Sequence, residues 1–194
     1  MLKSILIRFT LCLAVFSSMS KLSASDTLQI AYNQVPGTWE GIIMADTANG
    51  MYNHKVYVLE SNKTHMQVAT LQLIASIEIM GAPYATGETP AIIQQSPNAT
   101  GGSGFIDGWL TSSSILFNGV GQTFKMSNLV FNGVRADGAA STWGVLVTSG
   151  EDNHVHVDNV TSLHHSVITY LNVGKGETWV LTNNTAVQYT SYAG

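Results

Sequence analysis

The sequence predicts an all-β chain wound as a solenoid of stacked parallel coils, and three observations carry that expectation. Short runs rich in β-branched and apolar residues recur across residues 55–194, nearly all separated by Gly, Asn, Asp or Pro. The pattern Phe124-x-Met126-x-Asn128-Leu129 returns as Val155-x-Val157-x-Asn159-Val160 and more loosely as Trp179-x-Leu181-x-Asn183, which sets Asn128, Asn159 and Asn183 at spacings of 31 and 24 residues. A second column, Gly144 to Val147 and Val167 to Leu171, keeps step with the first at an offset of about 23 residues. An antiparallel sandwich or barrel is the competing architecture for so many short strands, but it has no reason to place Asn at equivalent strand ends. In a solenoid an inward Asn at one corner can bond to the coil above and the coil below.

The elements follow in order. Residues 1–25 read as a signal peptide: Lys3 and Arg8 precede the apolar run Phe9 to Phe16, and a small, polar stretch ends at Ser23-Ala24-Ser25. That apolar run is far shorter than the roughly 20 residues needed to cross a bilayer, so no membrane span is expected in the mature chain. Residues 26–54 read as an N-terminal strand and a capping helix. Leu28-Gln29-Ile30 alternates, Val35-Pro36-Gly37 turns, and Thr38 stands as N-cap to a helix with Trp39, Ile42, Ile43 and Asp46 at helical spacing, stopped by Asn49-Gly50. Residues 55–194 read as parallel coils, incomplete at the C-terminus, because no charged or amphipathic cap precedes Tyr192-Ala193-Gly194. Either a longer parent chain or end-to-end self-association is expected to cover that end.

Composition narrows the function classes. Of 194 residues, 10% are charged and 45% hydrophobic, which excludes a charge-rich disordered chain and a coiled coil. Three of the 8 Lys and Arg lie in residues 1–25, so the remainder carries five basic and 12 acidic side chains, a net charge of about −7. A nucleic-acid backbone would be repelled. The single cysteine, Cys12, falls in the signal segment, which removes disulfides, cysteine metal sites and a cysteine nucleophile from the mature chain.

The runs Val56-Tyr57-Val58-Leu59-Glu60, Leu71-Gln72-Leu73-Ile74, Ser76-Ile77-Glu78-Ile79-Met80-Gly81-Ala82-Pro83 and Pro90-Ala91-Ile92-Ile93-Gln94 resemble the opening coils of secreted right-handed parallel β-helix proteins of the pectate lyase-like superfamily. Trp39 to Thr47 is similar to the helix that plugs the end of such solenoids. Leu129-Val130-Phe131-Asn132-Gly133 with Arg135-Ala136-Asp137-Gly138 resembles the next coils of bacterial surface and polysaccharide-utilisation members. The resemblance covers about Thr38 to Thr185. It implies a right-handed parallel β-helix, an extracellular polysaccharide or glycan as partner, and Ca²⁺ as a possible cofactor. An active member would be a polysaccharide lyase, with a basic residue taking a proton beside a uronate carboxylate that Ca²⁺ neutralises, or a glycoside hydrolase with paired carboxylates. No catalytic motif of the family carries over to this sequence residue by residue.

Candidate substrate contacts are Arg135, Asp137 and Lys125, near or in a loop that follows a strand, with Trp109 in a loop after the glycine-rich run Gly101-Gly102-Ser103-Gly104. Against this, Asp137-Gly138 is also an ordinary turn signal with Arg135 as its ion-pair partner. Trp143 and Trp179 share the parity of inward residues. In Asp152-Asn153-His154-Val155-His156-Val157-Asp158, inward Val155 and Val157 put Asp152, His154, His156 and Asp158 on one outer face, a possible metal row with His164-His165 beyond it. A straight row converges on one ion only with help from a neighbouring coil. Four N-x-[ST] triplets begin at Asn62, Asn98, Asn159 and Asn183. The expected function is that of a secreted, periplasmic or cell-surface β-helix that binds or helps process polysaccharide without a complete catalytic site. A non-enzymatic, adhesin-like or structural solenoid is the alternative.

Overall fold

A computed structural model describes residues 26–99, 105–106, 109–110, 113–139, 144–165 and 169–188. Residues 1–25, which include Cys12 and are expected to be a signal peptide, the glycine-rich run 101–104, Trp143, the side chain of Trp109 and the C-terminal residues 189–194 lie outside the described residues.

The chain is mostly β, and its long-range strand pairing is parallel. One column runs through β1 (Thr27–Ile30), β4 (Val56–Leu59), β7 (Ile77–Gly81), β12 (Thr123–Asn132), β14 (His154–His165) and β16 (Thr178–Thr182), each parallel to the next. A second joins β5 (Thr64–Gln67) to β8 (Ala91–Gln95) and β8 to the latter half of β12, while β17 (Thr185–Gln188) pairs with the latter half of β14. The third runs through β6 (Leu71–Leu73), β11 (Ser113–Phe117), β13 (Gly144–Thr148) and β15 (Tyr170–Asn172). Alternation drives the pairing. In β12 and β14, Phe124, Met126, Val155 and Val157 are buried while Lys125 and His154 are exposed. Ile79, Met126 and Val157 from the first column, Ala91, Leu129 and Phe131 from the second, and Leu73, Phe117 and Leu146 from the third share one apolar core.

Sequence patterning shows two strand columns where the structure has three. The missing column is hidden because β12 and β14 continue through a bend at Asn128 and Asn159, both left-handed with φ 55° and 50°. Asn183 has φ 55° at the matching place between β16 and β17. Asparagine tolerates that conformation far better than most residues. The three asparagines therefore mark bends, and they do not point inward: Asn159 and Asn183 are exposed and Asn128 is half-buried. The ladder is partial. Asn159 Nδ2 donates to Asn128 Oδ1 at 2.8 Å, whereas Asn183 Nδ2 donates to Asp158 Oδ1 at 2.9 Å.

Helix α1 (Thr38–Ala45) packs against β5 and buries Trp39 and Ile43 beside Ile30 of β1. Its N-cap is Gly37 at φ 84°, not Thr38, whose hydroxyl donates to the Val35 carbonyl at 2.7 Å. Asn49-Gly50, at φ 54° and 74°, does not end the helix but turns the antiparallel hairpin of β2 (Thr47–Ala48) and β3 (Met51–Tyr52). The expected loop at Trp109 is likewise part of a hairpin, β9 (Phe105–Ile106) with β10 (Trp109–Leu110).

Candidate functional site

The outward side chains of the first column form cross-strand rows set by the register. Val56, Glu78, Lys125, His156 and Val180 lie in one row, and Thr123, His154 and Thr178 in the next. Neighbouring strands lie about 4.8 Å apart, so such a row presents one side chain per strand. Lys55, Val56, Ser76, Ile77, Glu78, Thr123 and Lys125 line a shallow depression of about 250 Å³ on this face. Two cations flank it. Lys55 is 3.9 Å from Asp26 in an exposed pair, worth little in water, and Lys125 makes no ion pair among the described residues although Glu78 and His156 are its register neighbours. Ser76 forms part of the rim: its hydroxyl donates to Gln122 Oε1 at 2.8 Å and accepts from the Thr123 N–H at 3.0 Å.

Lys125 is thus the sequence-derived candidate that the fold places at a concave surface. Arg135 and Asp137 pair within their own turn. Arg135 Nη2 donates to Asp137 Oδ2 and to the Pro97 carbonyl, each at 2.7 Å, tying this turn to the one after β8. The Ala139 N–H and then the Arg135 guanidinium hold the Asp137 carboxyl below the usual carboxylate range.

Asp152, His154, His156 and Asp158 follow the strand as a row. Asp158 accepts from Thr182 Oγ1 at 2.6 Å and from Asn183 Nδ2, which with nearby His156 lower its pKa. Asp152, at φ 54°, sits in the turn before β14. Among the described residues no group of three or more His, Cys, Asp or Glu side chains gathers that could hold a metal ion.

Two hydrogen-bonded groups of titratable side chains escape the sequence reading. Ser162 Oγ and His165 Nδ1 lie 2.9 Å apart, the pairing a nucleophile and its base require. Both are buried, at 2% and 4% exposure, and the pair joins β14 to Thr169 rather than opening to solvent. Burial, helped by the neighbouring His164, pushes His165 down to about 4, so the ring is neutral at pH 7. Parity along β14 misleads here because His164, at φ 58°, shifts the register. In the second group Asp46, the C-cap of α1, accepts from His54 Nδ1 at 2.7 Å and Tyr57 Oη at 2.6 Å. Burial acts to raise the Asp46 pKa, but the bonds from Tyr57, His54 and Asn53 outweigh it and leave the carboxyl below its ordinary range.

A polar column with a buried centre also runs across the strand starts of the first column. Gln122, Asn153 and Glu177 occupy equivalent register positions. Asn153, fully buried, accepts from the Gln122 N–H at 2.9 Å and donates to the Gly119 carbonyl at 2.8 Å and Glu177 Oε1 at 3.1 Å. Its spacing repeats that of the asparagines, but the residue type changes at every step.

No protein-family model matches the sequence. No curated protein and no solved structure is matched by the chain either.

Proposed function

We propose that this chain is an exported right-handed parallel β-helix, plugged at one end by α1, that binds extracellular polysaccharide on the outer face of its first strand column. The observation that carries the reading is the depression of about 250 Å³ between Lys55 and Lys125, with Glu78, Ser76 and Thr123 along it. An extended polymer laid across the strands would meet one outward side chain per strand, and the two ammonium groups favour an anionic chain, while the Ser and Thr hydroxyls can donate to or accept from sugar hydroxyls and the Glu78 carboxylate accepts from them. The parallel registers, the core shared by three columns and the order of charge, apolar run and small residues in 1–25 support the fold and export parts of the reading. Secretion, the periplasm or the cell surface are the places where such a polymer is met.

Binding without turnover fits the side chains better than catalysis. A lyase must neutralise a uronate carboxylate, and among the described residues the acidic side chains do not gather as a cluster that would hold Ca²⁺ for that task. The same observation favours a non-enzymatic, adhesin-like surface solenoid as the second reading.

Retention of the protein on pectin, alginate and chondroitin, against a neutral glycan, tests the proposal. Binding to the acidic polymers that weakens with salt, and weakens several-fold further in Lys55→Glu and Lys125→Glu, is the expected result. Failure to bind any of them, or binding untouched by both substitutions, overturns it. Ultraviolet absorbance from unsaturated uronate products, with and without Ca²⁺, separates a lyase from a binding protein.

A further inference from the structure

The two ends of the first column differ sharply. At the β1 end, Trp39 and Ile43 of α1 are 2% and 0% exposed and join the core beside Ile30. At the β16 end, Leu181 is paired in register with Val157, which is 0% exposed, yet Leu181 itself is 50% exposed; Val187 of β17 is 45% exposed. Inward-facing residues there meet no covering layer among the described residues. The far edge of β16 likewise has no strand partner among them.

Edge strands are ordinarily blunted by charge, proline or a bulge, since free N–H and C=O groups recruit another strand. β16 has none of these: Thr178-Trp179-Val180-Leu181-Thr182 is uncharged throughout. The segment is also self-complementary. In an antiparallel pairing about a two-fold axis at its middle residue, Val180 faces Val180 of the second copy, Trp179 faces Leu181, and Thr178 faces Thr182. The inner pairs are aromatic with aliphatic and the outer pairs are hydroxyl with hydroxyl and Val with Val, all favourable cross-strand combinations. α1 blocks the other end, so a head-to-tail fibre is disfavoured and a closed, isologous dimer is the arrangement left.

We propose that the β16 end is the interface of a two-fold dimer in which β16 pairs antiparallel with β16 of a second copy, Val180 on the axis. Each core end then closes the other, and the outer face with Lys55 and Lys125 stays open in both copies.

Sedimentation equilibrium of the purified full chain, over a wide concentration range, tests this. The wild-type chain sediments at twice the monomer mass. Val180 is 47% exposed on the outer face, so Val180→Lys and Val180→Glu leave the coil intact, as far-ultraviolet circular dichroism checks. Each variant alone places like charges face to face and sediments as a monomer, and an equimolar mixture recovers the dimer by placing Lys opposite Glu. A wild-type monomer at every concentration overturns the proposal, as residues of the same chain would then cover the end. A dimer indifferent to both substitutions, or a mixture that stays monomeric, overturns it too.

Discussion

Gly150 stacks so closely on Gly119 that a Cβ at position 150 would come 1.8 Å from the Gly119 carbonyl oxygen. The obstacle is backbone of the neighbouring coil and cannot rotate away. Gly174 repeats the contact one coil on, with a Cβ there 2.4 Å from the Gly150 carbonyl oxygen. Gly150→Ala is expected to cost about 3 kcal/mol or more, the upper range for overpacking. Gly121, at φ 63° with nothing within 4 Å of a Cβ, is the control: Gly121→Ala should cost only the left-handed strain of about 1–2 kcal/mol. Urea unfolding of the two variants measures the difference, and equal losses would remove the close-stacking argument.

At Asn159 the backbone and the side chain contribute separately. Asn159→Ala loses the bond to Asn128 and forces alanine to φ 50°, a combined cost of about 2 kcal/mol. Asn159→Gly loses the same bond but relieves the strain, so it should cost no more than about 1 kcal/mol. Denaturation midpoints at constant slope rank the pair. A glycine variant as unstable as the alanine variant would show that the inter-coil bond, not the bend, sets the residue.

The same two contacts show which parts of the fold and site are written locally. Alternation within β12 and β14 reveals the core face, and the recurrence of Asn reveals the coil step, because Asn tolerates the left-handed bend that recurs at Asn128, Asn159 and Asn183. The Gln122, Asn153 and Glu177 column keeps that step but carries no constant residue, since reaching the next coil with a polar atom is all that is required. Similarity of type finds the first and passes over the second. Lys125 stands out as a charge on an apolar strand, but its companions Lys55 and Glu78 are supplied by earlier coils. Their place follows from the register of Ile77 with Phe124 across an insertion that includes Ala82 to Pro90. Arg135 and Asp137, two residues apart, already suggest their own ion pair.

The Asp46 network ties the end of α1 to β4 and should make stability depend on acid. The folded carboxyl titrates below its unfolded value of about 3.9, so its contribution is present above that pH and is lost as pH falls through the folded pKa. Tyr57→Phe removes a 2.6 Å bond to the charged carboxylate from a buried ring and is expected to cost about 1.5–3 kcal/mol at pH 7. As pH falls through the lowered folded pKa, the gap between wild type and variant should narrow because Asp46 protonates. Chemical denaturation at pH 7 and at a series of acidic pH values checks both parts, and a gap independent of pH would assign the loss to packing alone.

His165 gives a second acid dependence, in a higher window. Its folded pKa of about 4 lies below the unfolded value of about 6.5, because charging a ring buried to 4% exposure is unfavourable. Between those two values the unfolded chain binds a proton that the folded chain refuses, so folding stability falls as pH falls. The contribution is complete above pH 6.5, declines through the window, and is gone below pH 4, a loss of about 3 kcal/mol by linkage. His165→Asn keeps a polar atom near Ser162 Oγ and removes the titration. The variant should therefore be less stable than wild type at pH 7, yet show a shallower stability profile between pH 6.5 and 4.5, the slope that remains coming from other buried groups such as His65, whose pKa burial also lowers. A wild-type profile no steeper than that of the variant in this window would mean that the ring charges without opening β14.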